Sequence, residues 1–162
     1  MAKRIAKFLV IVLLVLAVVF VAASQIDLSA LPEPGARETS LATSAKRWMI
    51  GRAARGSVVA APAADASSAD NGSMLYGMDC DDCHGKDGRH PTENGRWMYP
   101  RVPDLGSPGV QSWSDAELFW IIKNGVRFSG MPGFAKMQND KEIWDLVHYV
   151  RSLGAPVAPS KK

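Results

Sequence analysis

The sequence predicts an all-α protein, and three observations carry that prediction. No stretch sustains the alternation of apolar and polar residues that a half-buried strand requires. Ser114 with Glu117 and Asn139 with Glu142 form capping boxes, each followed by apolar residues at helical spacing. An unbroken apolar run from Phe8 to Ala23 opens the chain behind Lys3, Arg4 and Lys7.

That opening run is about 16 residues, roughly 24 Å of helix, and it reaches about 22 residues when Ile5 to Ile26 are counted with Lys7 snorkelling. Residues 1–26 therefore read as a transmembrane anchor or as a secretory signal, since Val21, Ala22 and Ala23 would permit cleavage. Either way the basic end stays in the cytoplasm and the remainder is exported.

Pro32 and Pro34 stop this helix. Within residues 27–56 a second helical pattern runs from about Ala36 to Arg55, with Leu41, Ala45, Trp48 and Met49 on one stripe and Lys46, Arg47, Arg52 and Arg55 around it. Three readings fit: an interfacial helix on anionic lipid, a docking helix for a partner subunit, or a solvated basic helix. Residues 57–69, rich in Ala and Ser with Pro62, read as a flexible tether. Residues 70–154 hold the predicted globular domain, and 155–162 a disordered tail.

At 162 residues and 47% hydrophobic, the chain has room for one domain plus these extra segments. The net charge of +3 is unevenly spread, because eight basic and three acidic residues fall before residue 61 and eleven and thirteen after it. The globular part is thus slightly acidic, which argues against nucleic acid as a partner.

The chemistry lies in Cys80-Asp81-Asp82-Cys83-His84, a C-x-x-C-H signature for covalent attachment of a c-type haem. Two thiols one helical turn apart can add to the two vinyl groups on one haem edge, while the adjacent histidine is set beneath the iron. No other cysteines exist. The pentapeptide by itself leaves three other readings open: a strained small-loop disulfide, a thioredoxin-like pair that would want a βαβ context, and a zinc site completed by His90.

With Gly72 and Tyr76 upstream of the motif, and Leu146 and Tyr149 near the end, about half of the chain resembles the class I cytochrome c family. The resemblance implies an all-α fold around one covalent haem c, with Gly72 and Tyr76 on a first helix that crosses the last helix at Leu146 and Tyr149. Pro103-Asp104-Leu105 is similar to the family loop whose proline carbonyl accepts the ring N–H of the iron-binding histidine, so Pro103, or Pro100 nearby, would orient His84. Gly130-Met131-Pro132-Gly133 resembles the loop that presents a thioether, making Met131 the sixth ligand and His84 the fifth; His90 and His148 are the other candidates, with His148 reading as a surface residue.

Trp97, Tyr99, Trp113, Phe119, Trp120, Phe128, Phe134 and Trp144 supply aromatic bulk for a core and a haem wall. Arg127, Trp97 and Tyr99 are candidate propionate contacts. Asp79, Asp81 and Asp82 are either steering charges near a haem edge or solvated helix-start carboxylates.

The function implied is carriage of single electrons between membrane or periplasmic redox partners, not catalysis. The haem domain would sit outside the cytoplasmic membrane, held by the N-terminal helix or released after cleavage. A haem subunit of a larger membrane oxidoreductase is the alternative. A haem enzyme or sensor with a labile sixth ligand is a further one.

Overall fold

A computed structural model describes residues 2–27, 29–57, 60–63 and 67–154. No strand occurs among them, and the chain is all-helical as expected. It divides into two compact units, Met1–Pro32 and Glu33–Lys162. The expected disordered tail, 155–162, and parts of the expected tether lie outside the described residues.

The first unit is helix α1, Ala2–Ser24. Its stretch Lys3–Ser24 contains an 18-residue window of mean hydropathy 3.1 with no buried residue, so it is long and apolar enough to cross a membrane. The Ser24 hydroxyl turns back to the Val21 carbonyl at 2.8 Å at its end.

The second unit contains α2 (Ala36–Ser57), α3 (Ser68–Asp79), α4 (Asp81–His84), α5 (Glu93–Trp97), α6 (Pro108–Gln111), α7 (Asp115–Asn124) and α8 (Asp140–Leu153). The most extensive contact joins α3 to α8. It depends on Gly72, where an added Cβ would lie 2.1 Å from the Asp145 carbonyl oxygen and 2.9 Å from the Tyr149 Cβ. Backbone touches backbone there, as the helix crossing expected at this glycine requires. Beside it the Tyr76 and Tyr149 rings meet with centroids 5.0 Å apart.

Both capping boxes form. Ser114 and Glu117 start α7, and Asn139 and Glu142 start α8. Phe119, Ile143, Leu146 and Val147 are fully buried between the two helices and α3, with Phe119 stacked on Trp144 at 4.6 Å. Arg151 then locks the end of α8 to α6 and α7, bonding Asp115 Oδ1 at 2.6 Å, the Gln111 carbonyl at 2.8 Å and the Trp113 carbonyl.

Helix α2 has a second, packed face that the reading of the sequence did not single out. Leu41, Trp48 and Met49 are exposed, whereas Ile50 and Ala54 are buried and Thr43, Lys46 and Arg47 half-buried. The helix packs on α7 of its own unit, with Gly51 against the Glu117 carboxylate. Arg47 donates to the Gly109 carbonyl at 2.9 Å and the Ser112 hydroxyl at 2.6 Å, and its guanidinium lies 4.3 Å from the Trp113 ring centroid. Burial, with Arg47 adjacent, pushes the Lys46 ammonium below the usual lysine range. Tyr99 donates to Glu38 just inside the helix start, and Arg101 pairs with Glu33 at 2.5 Å just before it.

Two stability measurements test this packing on the holoprotein by thermal or denaturant unfolding. Gly72→Ala forces α3 and α8 apart and is expected to cost about 1–3 kcal/mol. Ile50→Ala opens a cavity under α2 and is expected to cost about 2–4 kcal/mol; a loss under about 0.5 kcal/mol, the level of a surface substitution, would show that α2 does not pack as described.

Candidate functional site

Tyr76 closes the last turn of α3 by accepting from the Cys80 amide at 2.9 Å. The chain then turns again: the amides of Cys83 and His84 both bond the Cys80 carbonyl, at 3.2 and 2.9 Å. Cys80, Cys83 and His84 therefore stand on one helical turn, and both thiols are free. Gly85 ends this turn with a φ of 79°, and its carbonyl accepts from the buried Tyr76 hydroxyl at 2.5 Å. Burial pushes the Tyr76 phenol well above its usual range, with Cys80, Tyr149, Asp81 and Asp87 adding to the effect.

The following loop folds back over α4. Thr92 donates its hydroxyl to the Asp82 carbonyl at 2.6 Å and its amide to the Cys83 carbonyl at 3.1 Å, and caps α5 through Gly95. The segment after α5 is pinned by Val102 N–H to the Gly95 carbonyl, 3.2 Å, and by Leu105 N–H to the Gly88 carbonyl, 2.8 Å. Pro103 lies between these two bonds. Its carbonyl is the backbone acceptor that favours the protonated His84 ring, yet burial is the larger effect and lowers the His84 pKa below its ordinary value. The interaction falls short of good hydrogen-bond geometry, because His84 Nδ1 is buried with no partner.

Burial, then Asp79, Asp81 and Cys83, push the Cys80 thiol up to about 12. The free thiol therefore stays protonated at neutral pH. His90, the sequence candidate for completing a zinc site, pairs instead with Asp87 at 2.6 Å on the surface, and that pairing holds the Asp87 carboxyl below its usual range. Among the described residues no group of three His, Cys, Asp or Glu is placed to hold a metal ion.

Met131 belongs to the loop between α7 and α8. Gly125 ends α7 with a φ of 71°, and a Cβ there would meet the Gly133 amide, the Pro132 carbonyl carbon and the Met131 carbonyl oxygen at 2.6–2.7 Å. Val126 N–H bonds the Met131 carbonyl at 3.2 Å, Met131 N–H bonds the Ser129 hydroxyl at 3.2 Å, and Phe134 N–H returns to the Ile122 carbonyl at 3.1 Å. Half-buried, Met131 packs against the same apolar core as Cys80. Phe128, at the loop apex, holds a φ of 61°, a strained backbone for a bulky residue, and is 92% exposed.

Other expectations fared unevenly. Trp113, Phe119, Phe134 and Trp144 are core residues, but Trp97 and Phe128 are exposed. Tyr99 is engaged by Glu38 of α2. Asp79 accepts from the Gln138 amide at 2.6 Å. His148 is half-buried with Nε2 lacking a partner, so it is not the simple surface residue expected. The reasoning from sequence missed the fold-back of Thr92, although a Thr-x-x-Gly preceded by Pro91 was visible; the Met98 sulfur packs on Gly130 beside Met131.

One turn with two thiols and a half-buried imidazole whose Nδ1 is shielded from solvent fits a covalently held haem. The chain has 25% identity and a TM-score of 0.54 to a chain of the Kuenenia stuttgartiensis reducing HAO-like protein complex Kustc0457/Kustc0458, with 60% of this chain and 49% of that one covered. It therefore spans about half the length of that relative. A structure described as the KustC0563 c-type cytochrome aligns at 28% identity and a TM-score of 0.46, covering 52% of this chain and 98% of that one. No curated protein matches. The family model described as cytochrome c oxidase, cbb3-type, subunit III matches residues 67–150, more than half of the sequence. The chain belongs to that family, a class I c-type cytochrome domain.

Proposed function

We propose that this chain is a mono-haem cytochrome, with haem c bonded through Cys80 and Cys83 and ligated by His84 and Met131, that shuttles single electrons outside the cytoplasmic membrane while α1 holds it there. When bound, the haem supplies an iron that changes oxidation state by one electron.

The observation that carries the ligand assignment is the turn from Cys80 to His84, where a neutral ring presents a buried, unpartnered Nδ1 toward the Pro103 carbonyl. A metal-binding histidine needs such an acceptor to fix its ring and tautomer. The small closure that would complete the bond to Pro103 is one that ligation of the other ring nitrogen would favour. Met131 offers a soft sulfur from a loop closed by its own hydrogen bonds, and an imidazole–thioether pair favours a higher reduction potential than two imidazoles. Exposed Trp97 and Phe128, on the segments following α4 and α7, offer apolar surface to a macrocycle.

A second reading, haem subunit of a larger membrane oxidoreductase, is favoured by the description of the matching family and by the relative drawn from a protein complex. Co-migration with other subunits in mild detergent would select it over a free-standing carrier.

Expression in a host with c-type maturation tests the assignment. The mass should rise by one haem, and the colour should stay with the denatured chain. Replacing both cysteines by alanine should abolish that retention; a colourless wild-type product with both thiols open to alkylation overturns the reading. Met131→Ala should remove the sulfur-to-iron charge-transfer band at the red edge of the ferric spectrum and lower the midpoint potential, whereas Met98→Ala should keep the band. Gly125→Ala, which crowds the Met131 loop, should weaken the band and cost about 1–3 kcal/mol of holoprotein stability.

A further inference from the structure

Helix α2 has two faces, and its own unit fixes which one is free. Ile50, Ala54 and Gly51 are turned in, held by the Arg47 bonds to Gly109 and Ser112 and by the Tyr99 and Arg101 ties near the helix start. The opposite side must then carry Leu41, Ala45, Trp48, Met49 and Arg52, which fall on one arc of the helix.

That side is not what a helix docked only for packing would show to water. Leu41, Trp48 and Met49 are 73%, 65% and 55% exposed. Arg52 lies over the Trp48 ring at 5.8 Å. Arg37, Arg52 and Arg55 are exposed and form no ion pair among the described residues. The one carboxylate of the helix, Glu38, accepts from Tyr99. A tryptophan and aliphatic groups flanked by unpaired arginines match the boundary between acyl chains and anionic headgroups.

The chain also brings a bilayer within reach. Only residues 25–35 separate α1 from α2, a link that spans at most about 40 Å when fully extended. A short link raises the effective concentration of the second contact once the first is made.

We infer that the outward face of α2, Leu41, Trp48 and Met49 with Arg37, Arg52 and Arg55, seats on an anionic lipid surface. The inference rests on the reading that α1 stays in the membrane. Lipid is favoured over a protein partner because Arg37, Arg52 and Arg55 form no ion pair among the described residues, the one carboxylate of the helix being engaged by Tyr99, and because the link is short.

The test uses the full holoprotein with a nitroxide at Met49→Cys, with Lys86→Cys as an exposed control; the native cysteines are held as thioethers. After reconstitution into phosphatidylcholine vesicles with and without phosphatidylglycerol, accessibility to oxygen and to a nickel chelate is read by electron paramagnetic resonance. With anionic lipid, the position 49 label should gain oxygen and lose nickel contact while position 86 does not. Each arginine changed to glutamine among Arg37, Arg52 and Arg55 should lower the docking constant about fivefold, and Trp48→Gln should lower it further with unfolding temperature unchanged.

A chain that floats with the vesicles while position 49 stays as wet as position 86 overturns the lipid contact and leaves the anchor standing. Protection that appears only with membrane proteins present assigns the face to a protein and overturns it also. An intact mass lacking the N-terminal segment, with no flotation, overturns anchor and contact together.

Discussion

Where α3 crosses α8, the Asp145 carbonyl occupies the space in which any side chain on residue 72 would begin. This contact sets the distance between the two helices, and much of the rest follows from it. With the backbones this close, Tyr76 and Tyr149 meet beside the crossing, and Leu146 and Val147 are fully buried. The Tyr76 hydroxyl then reaches the Gly85 carbonyl, on the far side of the thiol-bearing turn. One side chain thus connects the helix crossing to the end of the turn that carries Cys80, Cys83 and His84. The precision of that turn is inherited from backbone packing and not from the pentapeptide alone.

Features set by neighbouring residues were legible in the sequence. Both capping boxes were, because each is closed within four residues. The crossing at Gly72 and Tyr76 was legible through the family resemblance, which implied that their helix meets the last one there. Pro103 was read from a loop resemblance, and its carbonyl does bear on the His84 ring. The role of that contact remains tied to the proposed ligation.

What was not legible depended on long-range partners. The sequence around α2 offers two stripes, and only the one with larger apolar groups was singled out, as a face for lipid or a partner subunit or as part of a solvated helix. The buried one uses Ile50, Ala54 and Gly51, residues small enough for α2 to lie close to α7, and is fastened by Arg47 to groups more than sixty positions away. Nothing within a window of twenty residues reveals that Arg47 will find Gly109, Ser112 and Trp113. Trp97 and Phe128 illustrate the converse. Their size suggested a core or a haem wall, but both stand exposed among the described residues, so aromatic bulk alone does not decide between a core and a surface kept for something other than protein.

The mode of attachment of α2 also bears on how electrons would be exchanged. A flexible tether between membrane and haem domain would allow every orientation, and transfer would then depend on rotational search. Helix α2 instead is bound to its domain by buried apolar groups, an arginine with three contacts and two ties near its start. Any surface that holds its outward face therefore holds the domain as well, without a further joint. The same rigid seat fixes the direction in which Met131 and the Cys80 turn face relative to that surface, because all of them are packed on one core. Orientation then narrows the partners to those whose redox centres lie along that direction, a form of selectivity that needs no specific contact at the haem edge.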